Sequence, residues 1–146
     1  MRRLWLMFLL VGVAVPTVIA QGPLMPAAAV TSTVYDGRIP LLPKWTPIDA
    51  AISGDNTVVP AVSAKKIRVL AVSVTMTGTA VTIWFKSGTG STEQPLTGAM
   101  GPSAGQTLTL PFNPVGWFES STGELLNMEL SGAQSVDGVL VYVEVD

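Results

Sequence analysis

The chain has 146 residues, no cysteine, no histidine and a formal net charge of −2. That composition excludes metal centres built on His or Cys ligands, Ser-His-Asp and Cys-His nucleophilic machinery, and disulfide staples. Only 12% of residues are charged and 48% are hydrophobic, against about 25% charged in an ordinary soluble domain.

The length suits one domain with a real core. A charge-poor surface favours association, because charge normally keeps monomers apart; a small, neutral, Ser/Thr-rich β domain has the same composition. Of the eight basic residues, two are Arg2 and Arg3, so the rest of the chain sets six against ten acidic ones. The one basic cluster, Lys65, Lys66 and Arg68, reads as the solvated start of a strand. No nucleic-acid partner is expected, since phosphate binding needs clustered Lys and Arg.

The chain opens MRRLWLMFLLVGVAVPTVIA. A basic start is followed by an apolar run from Leu4 to Val15, a break at Pro16 and modest residues up to Ala20. Residues 1–20 read as a secretory signal peptide cleaved after Ala20. Two other readings remain. An uncleaved anchor from Leu4 to Ala20 sits at the bottom of the length that spans a bilayer core of about 30 Å, and only retention of these residues would bring membrane contact. A hydrophobic N-terminal arm docking on a partner is the other. Residues 21–47 hold five prolines and no periodic pattern. Proline removes backbone donors and favours extended chain, so this stretch reads as a linker or arm with Trp45 pinning its end. It either wraps a neighbouring subunit or acts as a tether.

Residues 48–146 carry a two-residue period. SGDN at 53–56 reads as a turn, and 57–62 as a short edge strand because of Pro60. Residues 67–76 form the longest predicted strand, with Leu70, Val72, Val74 and Met76 on one face and Ala71, Ser73 and Thr75 on the other. In 80–86, Val81, Ile83 and Phe85 oppose Thr82, Trp84 and Lys86. SGTGST at 87–92 is a loop, 95–100 a weaker strand and GPSAG at 101–105 a turn. Leu108, Leu110 and Phe112 alternate with Thr107, Thr109 and Pro111. Leu126, Met128 and Leu130 alternate with Asn127 and Glu129, and SGAQ at 131–134 is a loop. Val139, Val141, Val143 and Val145 then alternate with Leu140, Tyr142 and Glu144. Seven or eight strands with frequent turns predict an all-β fold, an antiparallel β-sandwich or jelly roll.

The stretch PFNPVGWFESSTGE at 111–124 has loop chemistry but carries Phe112, Trp117 and Phe118. Phe112 is expected to complete the apolar face of its strand. Trp117 and Phe118 are expected to plug one end of the core, or else to contact a ligand. Trp84 is the other candidate contact residue. On a solvent-facing strand position it anchors a subunit interface, stacks on a sugar, or is covered by a second layer. Glu119 and Glu124 flank one loop and are the nearest approach to a glycosidase carboxylate pair, but acidic residues in turns are common. GTGST at 88–92 lacks a following lysine and opens no helix, so it is not a phosphate loop. No EF-hand spacing appears, and no cofactor, metal or catalytic residue is expected.

Six segments in order carry a family resemblance: SGDNTVVPAVSAKKIRVL (53–70), VTIWFKSGTG (81–90), LTGAM (96–100), LPFNPVGWFES (110–120), GELLNMELSG (123–132) and VDGVLVYVEV (136–145). Through them the domain resembles small β-rich proteins encoded in tailed-phage genomes and related bacterial loci. The resemblance covers the sandwich and not residues 1–47. It implies a virion component of head-decoration or other accessory type. Such a protein is expected to act as a homo-oligomer, often a trimer, on other virion proteins, without catalytic residues. A signal peptide departs from that pattern and leaves either an exported bacterial relative, such as a periplasmic or extracellular binding module for a glycan or a protein, or a virion protein anchored by its hydrophobic arm.

Overall fold

The computed structural model describes residues 33–37 and 39–146. The predicted leader and residues 21–32 lie outside the described residues. Within them the chain runs β1 (Val34–Asp36), β2 (Ile39–Leu41), β3 (Lys44–Ala50), β4 (Gly54–Val59), β5 (Lys66–Met76), β6 (Ile83–Ser87), β7 (Gln94–Pro95), β8 (Thr107–Leu110), β9 (Phe118–Glu119), β10 (Leu126–Leu130) and β11 (Val136–Val145), with one 3-10 turn at Gly90–Thr92. All named pairings are antiparallel.

Two sheets pack face to face. One has the order β3-β11-β5-β8, with β9 also on β5; the other has β4-β10-β6-β7. From β3 onward the chain switches between these sheets in the pattern of a jelly roll, so pairings such as β3 with β11 and β4 with β10 join distant segments. Alternation supplies the core. Ile48 and Ala50 of β3, Val72, Val74 and Met76 of β5, and Val136 and Leu140 of β11 meet Ile83 and Phe85 of β6 and Leu126, Met128 and Leu130 of β10. Burying each large apolar side chain contributes roughly 1.5–3 kcal/mol, and most of these are inaccessible to solvent.

Eleven strands replace the expected seven or eight because short pieces escape a periodicity test. Three of them, β1 to β3, begin at Val34, inside the stretch whose prolines suggest a linker. Pro40 lies in β2 and Pro47 in β3, and both strands have a free edge where a missing N–H costs no ladder bond. The expected turn at 53–56 is displaced too. β4 starts at Gly54, and the Asn56 amide bonds the Ile52 and Gly54 carbonyls, each at 2.9 Å, so the reversal sits just before it.

A bulge corrects the reading of the longest strand. β11 pairs Val141 with Ala71 and Tyr142 with Val69, leaving Leu70 as an extra residue. One extra residue inverts the facing of everything beyond it. Ile67 and Val69 therefore face the main core together with Val72, Val74 and Met76, while Leu70 joins a second cluster with Val34, Val143 and Val145. That cluster lies on the outer face of the five-stranded sheet, beneath the β1–β2 hairpin. The valine row of β11 is thus its outer row, and Leu140 and Tyr142 are the residues on the core side. Gly138 of β11 has no room for a side chain, because a Cβ there would collide with the Ser73 carbonyl oxygen.

Candidate functional site

The loop from Pro111 to Glu124 is built by hydrogen bonds. Asn113 accepts from the Val115 amide through Oδ1 (3.1 Å) and donates from Nδ2 to the Gly116 carbonyl (2.9 Å). Its own amide reaches the Leu70 carbonyl at 2.8 Å, and the Trp117 amide reaches that of Val69 at 2.8 Å. Gly116 has φ +95°, and a Cβ there would lie 2.5 Å from Arg68 Cγ. A glycine is needed both for the left-handed backbone and for the passing Arg68 stem.

This loop separates the three aromatics that the sequence groups. Phe118 acts as the expected plug: it packs on the main core, with its ring 5.2 Å from that of Phe85 at 33°. Trp117 does not. It is 45% exposed, and its Nε1 donates to the Pro111 carbonyl at 2.8 Å, which ties the ring to the start of the loop. Phe112 lies beyond the end of β8 and is likewise 45% exposed, so it does not complete that strand's apolar face.

Trp117 forms one wall of a surface groove of about 490 Å³, with Tyr35, Pro114 and Val115 as other apolar walls and Arg68 and Glu119 at its polar end. Glu119 accepts from Lys66 Nζ and from Arg68 Nε, each at 3.1 Å, and Arg68 also approaches Asp36 at 3.8 Å. Partial burial acts to raise the Glu119 carboxyl, but the hydrogen bonds from Lys66 and Arg68 outweigh it and hold it below the ordinary carboxylate value. Glu124 is placed differently, its amide bonding the Ser121 carbonyl and its carbonyl accepting from Ser120 Oγ.

Trp84 stands on the outer face of the four-stranded sheet, half-buried and directly opposite Glu129. Beside it Lys86 Nζ bridges Glu93, at 2.6 Å, and Glu129. Asp55, Glu93 and Glu129 bring carboxylate oxygens within 4.8 Å of one another, the described residues best placed to hold a cation. The Lys86 ammonium is the positive charge they already have.

A third surface escapes the sequence reading. On the outer face of the five-stranded sheet, Trp45 pairs with Val141 and Pro47 with Val139, and the next strand continues these rows with Ala71 and Ser73. The hairpin covers this face only at its Val143–Val145 end. Beyond Val141 it is open, with Trp45 72% and Val139 39% exposed. Trp45 does not pin an arm; it is the most prominent apolar group of an uncovered sheet. The alternation of Trp45 and Pro47 with Thr46 and Ile48 was the available signal.

Among the described residues, no helix is long and apolar enough to cross a membrane. No protein-family model matches the chain, and no curated protein matches its sequence. Two solved structures show a partial likeness to the chain. One is a chain from Bacillus endospore appendages, described as a family of disulfide-linked pili, with 12% identity over 84% of this chain and 97% of that one, and a TM-score of 0.45. The other is a chain of the T13 IBDV viral particle, with 13% identity over 83% of this chain and 35% of that one, and a TM-score of 0.32.

Proposed function

We propose that this protein is a non-enzymatic structural subunit, of accessory or decoration type in a virion, that assembles with copies of itself through the open part of the five-stranded sheet's outer face. The observation that carries this reading is the patch of Trp45, Pro47, Val139 and Val141. An exposed tryptophan beside apolar neighbours is a common energetic anchor of a protein interface. The ordered segments resembling tailed-phage proteins supply the particle, and other virion proteins as further partners. Glu119, which a glycosidase would need free, is occupied by Lys66 and Arg68, in keeping with a role without catalysis.

A second reading has its own observation. Trp117 and Tyr35 line one open groove, with the Trp117 ring tied to Pro111; exposed aromatic rings suit sugar stacking, and jelly rolls serve lectins as well as capsids. In that reading the protein is exported after cleavage of residues 1–20 and binds a glycan or protein. Intact mass and light scattering on protein from its native source separate the two. The subunit reading expects an oligomer or particle-bound species that Trp45→Ser converts to a monomer with unchanged thermal unfolding. A wild-type protein that is monomeric at all concentrations and absent from particles sinks it. A glycan array that quenches tryptophan fluorescence would establish the second.

A further inference from the structure

We infer that the groove beside Trp117 is a site for an uncharged glycan: a short neutral oligosaccharide with one sugar ring on the aromatic wall and its hydroxyls at the Arg68–Glu119 end. The inference rests on the second reading above and deepens it by naming the ligand class. It uses no part of the open sheet face.

Three observations carry it. The first is how the groove is divided. Tyr35, Pro114, Val115 and Trp117 supply apolar walls, and Arg68 and Glu119 supply a polar end. Both rings are exposed. A sugar ring is divided in the same way, with an apolar C–H face and hydroxyls around its rim, and an aromatic side chain is the natural partner of the first. The Trp117 indole N–H is spent on the Pro111 carbonyl at 2.8 Å, so what this residue has left to offer is apolar ring surface.

The second observation is charge. Glu119 accepts from Lys66 on one oxygen and from Arg68 on the other, each at 3.1 Å, and Arg68 also approaches Asp36 at 3.8 Å. Two cations and two carboxylates cancel. An anionic sugar, a phosphate or an ammonium ligand would meet an opposite charge that is already engaged, whereas a hydroxyl needs neither sign. Each Glu119 oxygen, bonded once, keeps acceptor capacity, and the Arg68 guanidinium has N–H groups beyond Nε. Acceptors and donors therefore lie side by side, which is what two neighbouring hydroxyls use.

The third is size and preorganisation. A volume of about 490 Å³ falls within the roughly 300–1,000 Å³ of small-molecule sites. The wall is preset: Gly116 passes the Arg68 stem with no room for a side chain, the Trp117 amide bonds the Val69 carbonyl at 2.8 Å, and Asn113 ties the loop to itself. A wall already in place loses little ordering entropy on binding, which matters for a ligand with few apolar contacts.

The test titrates the full-length protein with neutral trisaccharides of glucose, galactose and mannose, with trigalacturonate and with choline, read by ligand-observed NMR. At least one neutral trisaccharide is expected to bind, and trigalacturonate and choline are not. Trp117→Ala is expected to weaken the neutral sugar on the order of tenfold or more. Tyr35→Ala serves as a second groove variant should Trp117→Ala fail to fold. Glu119→Gln releases Lys66 and Arg68 and leaves the polar end with a net positive charge, so it is expected to weaken the neutral sugar and to admit trigalacturonate. Wild-type protein that binds trigalacturonate or choline more tightly than any neutral sugar overturns the inference and leaves the second reading standing with another ligand. Neutral-sugar binding that survives both Trp117→Ala and Tyr35→Ala overturns the assignment to this groove and again spares the second reading. No binding of any of these ligands overturns the inference together with the glycan form of that reading, and leaves it a protein ligand only.

Discussion

On the outer face of the four-stranded sheet, Lys86 stands between Glu93 and Glu129, with Asp55 and Trp84 beside them. On the outer face of the five-stranded sheet, the paired positions of β3 and β11 are Trp45, Pro47, Val139 and Val141, with Asp49 and Asp137 in the next row. Both faces follow the same two-residue period over the same core. The first sets one ammonium against three carboxylates and leaves its tryptophan half-buried. The second has four uncharged residues together and leaves its tryptophan standing clear. The same period thus carries an ion-paired cluster on one face and an apolar patch on the other.

The comparison breaks most visibly at Val139. Val139→Lys places an ammonium in the middle of the apolar face and is expected to abolish self-association in light scattering. The cost in stability should stay within about 0.5 kcal/mol, as for other surface changes. On the opposite face, Lys86→Met removes the cation shared by Glu93 and Glu129, next to Asp55. It is expected to destabilise the fold by about 2–3 kcal/mol in urea titration, leaving association unchanged. Calcium at millimolar concentration should then raise the melting temperature of that variant and not of the wild type. Gly116→Ala tests the groove: its Cβ would displace the Arg68 stem, and a cost of about 1–2 kcal/mol is expected. The smallest effect concerns Glu119. Its carboxyl is held below the ordinary value, so its contribution is present above that value and is lost as pH falls through the lowered one. Glu119→Gln is expected to flatten the acid limb of the stability profile and to leave neutral-pH assembly as it is.

Much of this was legible in advance. Alternation in 80–86 and 126–131 gave the core rows of β6 and β10, that in 107–112 placed Leu108 and Leu110 but not Phe112, and Trp84 stands on the face assigned to it. The failures share a physical cause: each depended on a partner strand. Leu70 has the parity of Val72 and Val74 along the chain, and only the pairing with β11 turns it away. The valine row of β11 alternates as strictly as its Leu140 and Tyr142 row, and nothing local says which one meets the other sheet. Pro40 and Pro47 signal absent donors, which an edge strand and a linker tolerate equally well. Phe112, Trp117 and Phe118 differ in exposure because Asn113 and Trp117 bond to β5 and Gly116 passes over Arg68, contacts made across more than forty residues of chain.

The placement of β11 has a consequence for biosynthesis. It lies in the middle of its sheet, between β3 and β5, and joins them through contacts such as Lys44 with Glu144, 100 residues apart. Until residues 136–145 have been synthesised, β3 and β5 share no edge, and the apolar row of β5 has no neighbour on that side. Such distant pairing folds slowly and leaves unpaired strand edges open to other chains. A nascent chain of this protein is thus most at risk of aggregation just before its final strand emerges from the ribosome, and a chaperone that shields residues 66–76 would guard the interval that matters.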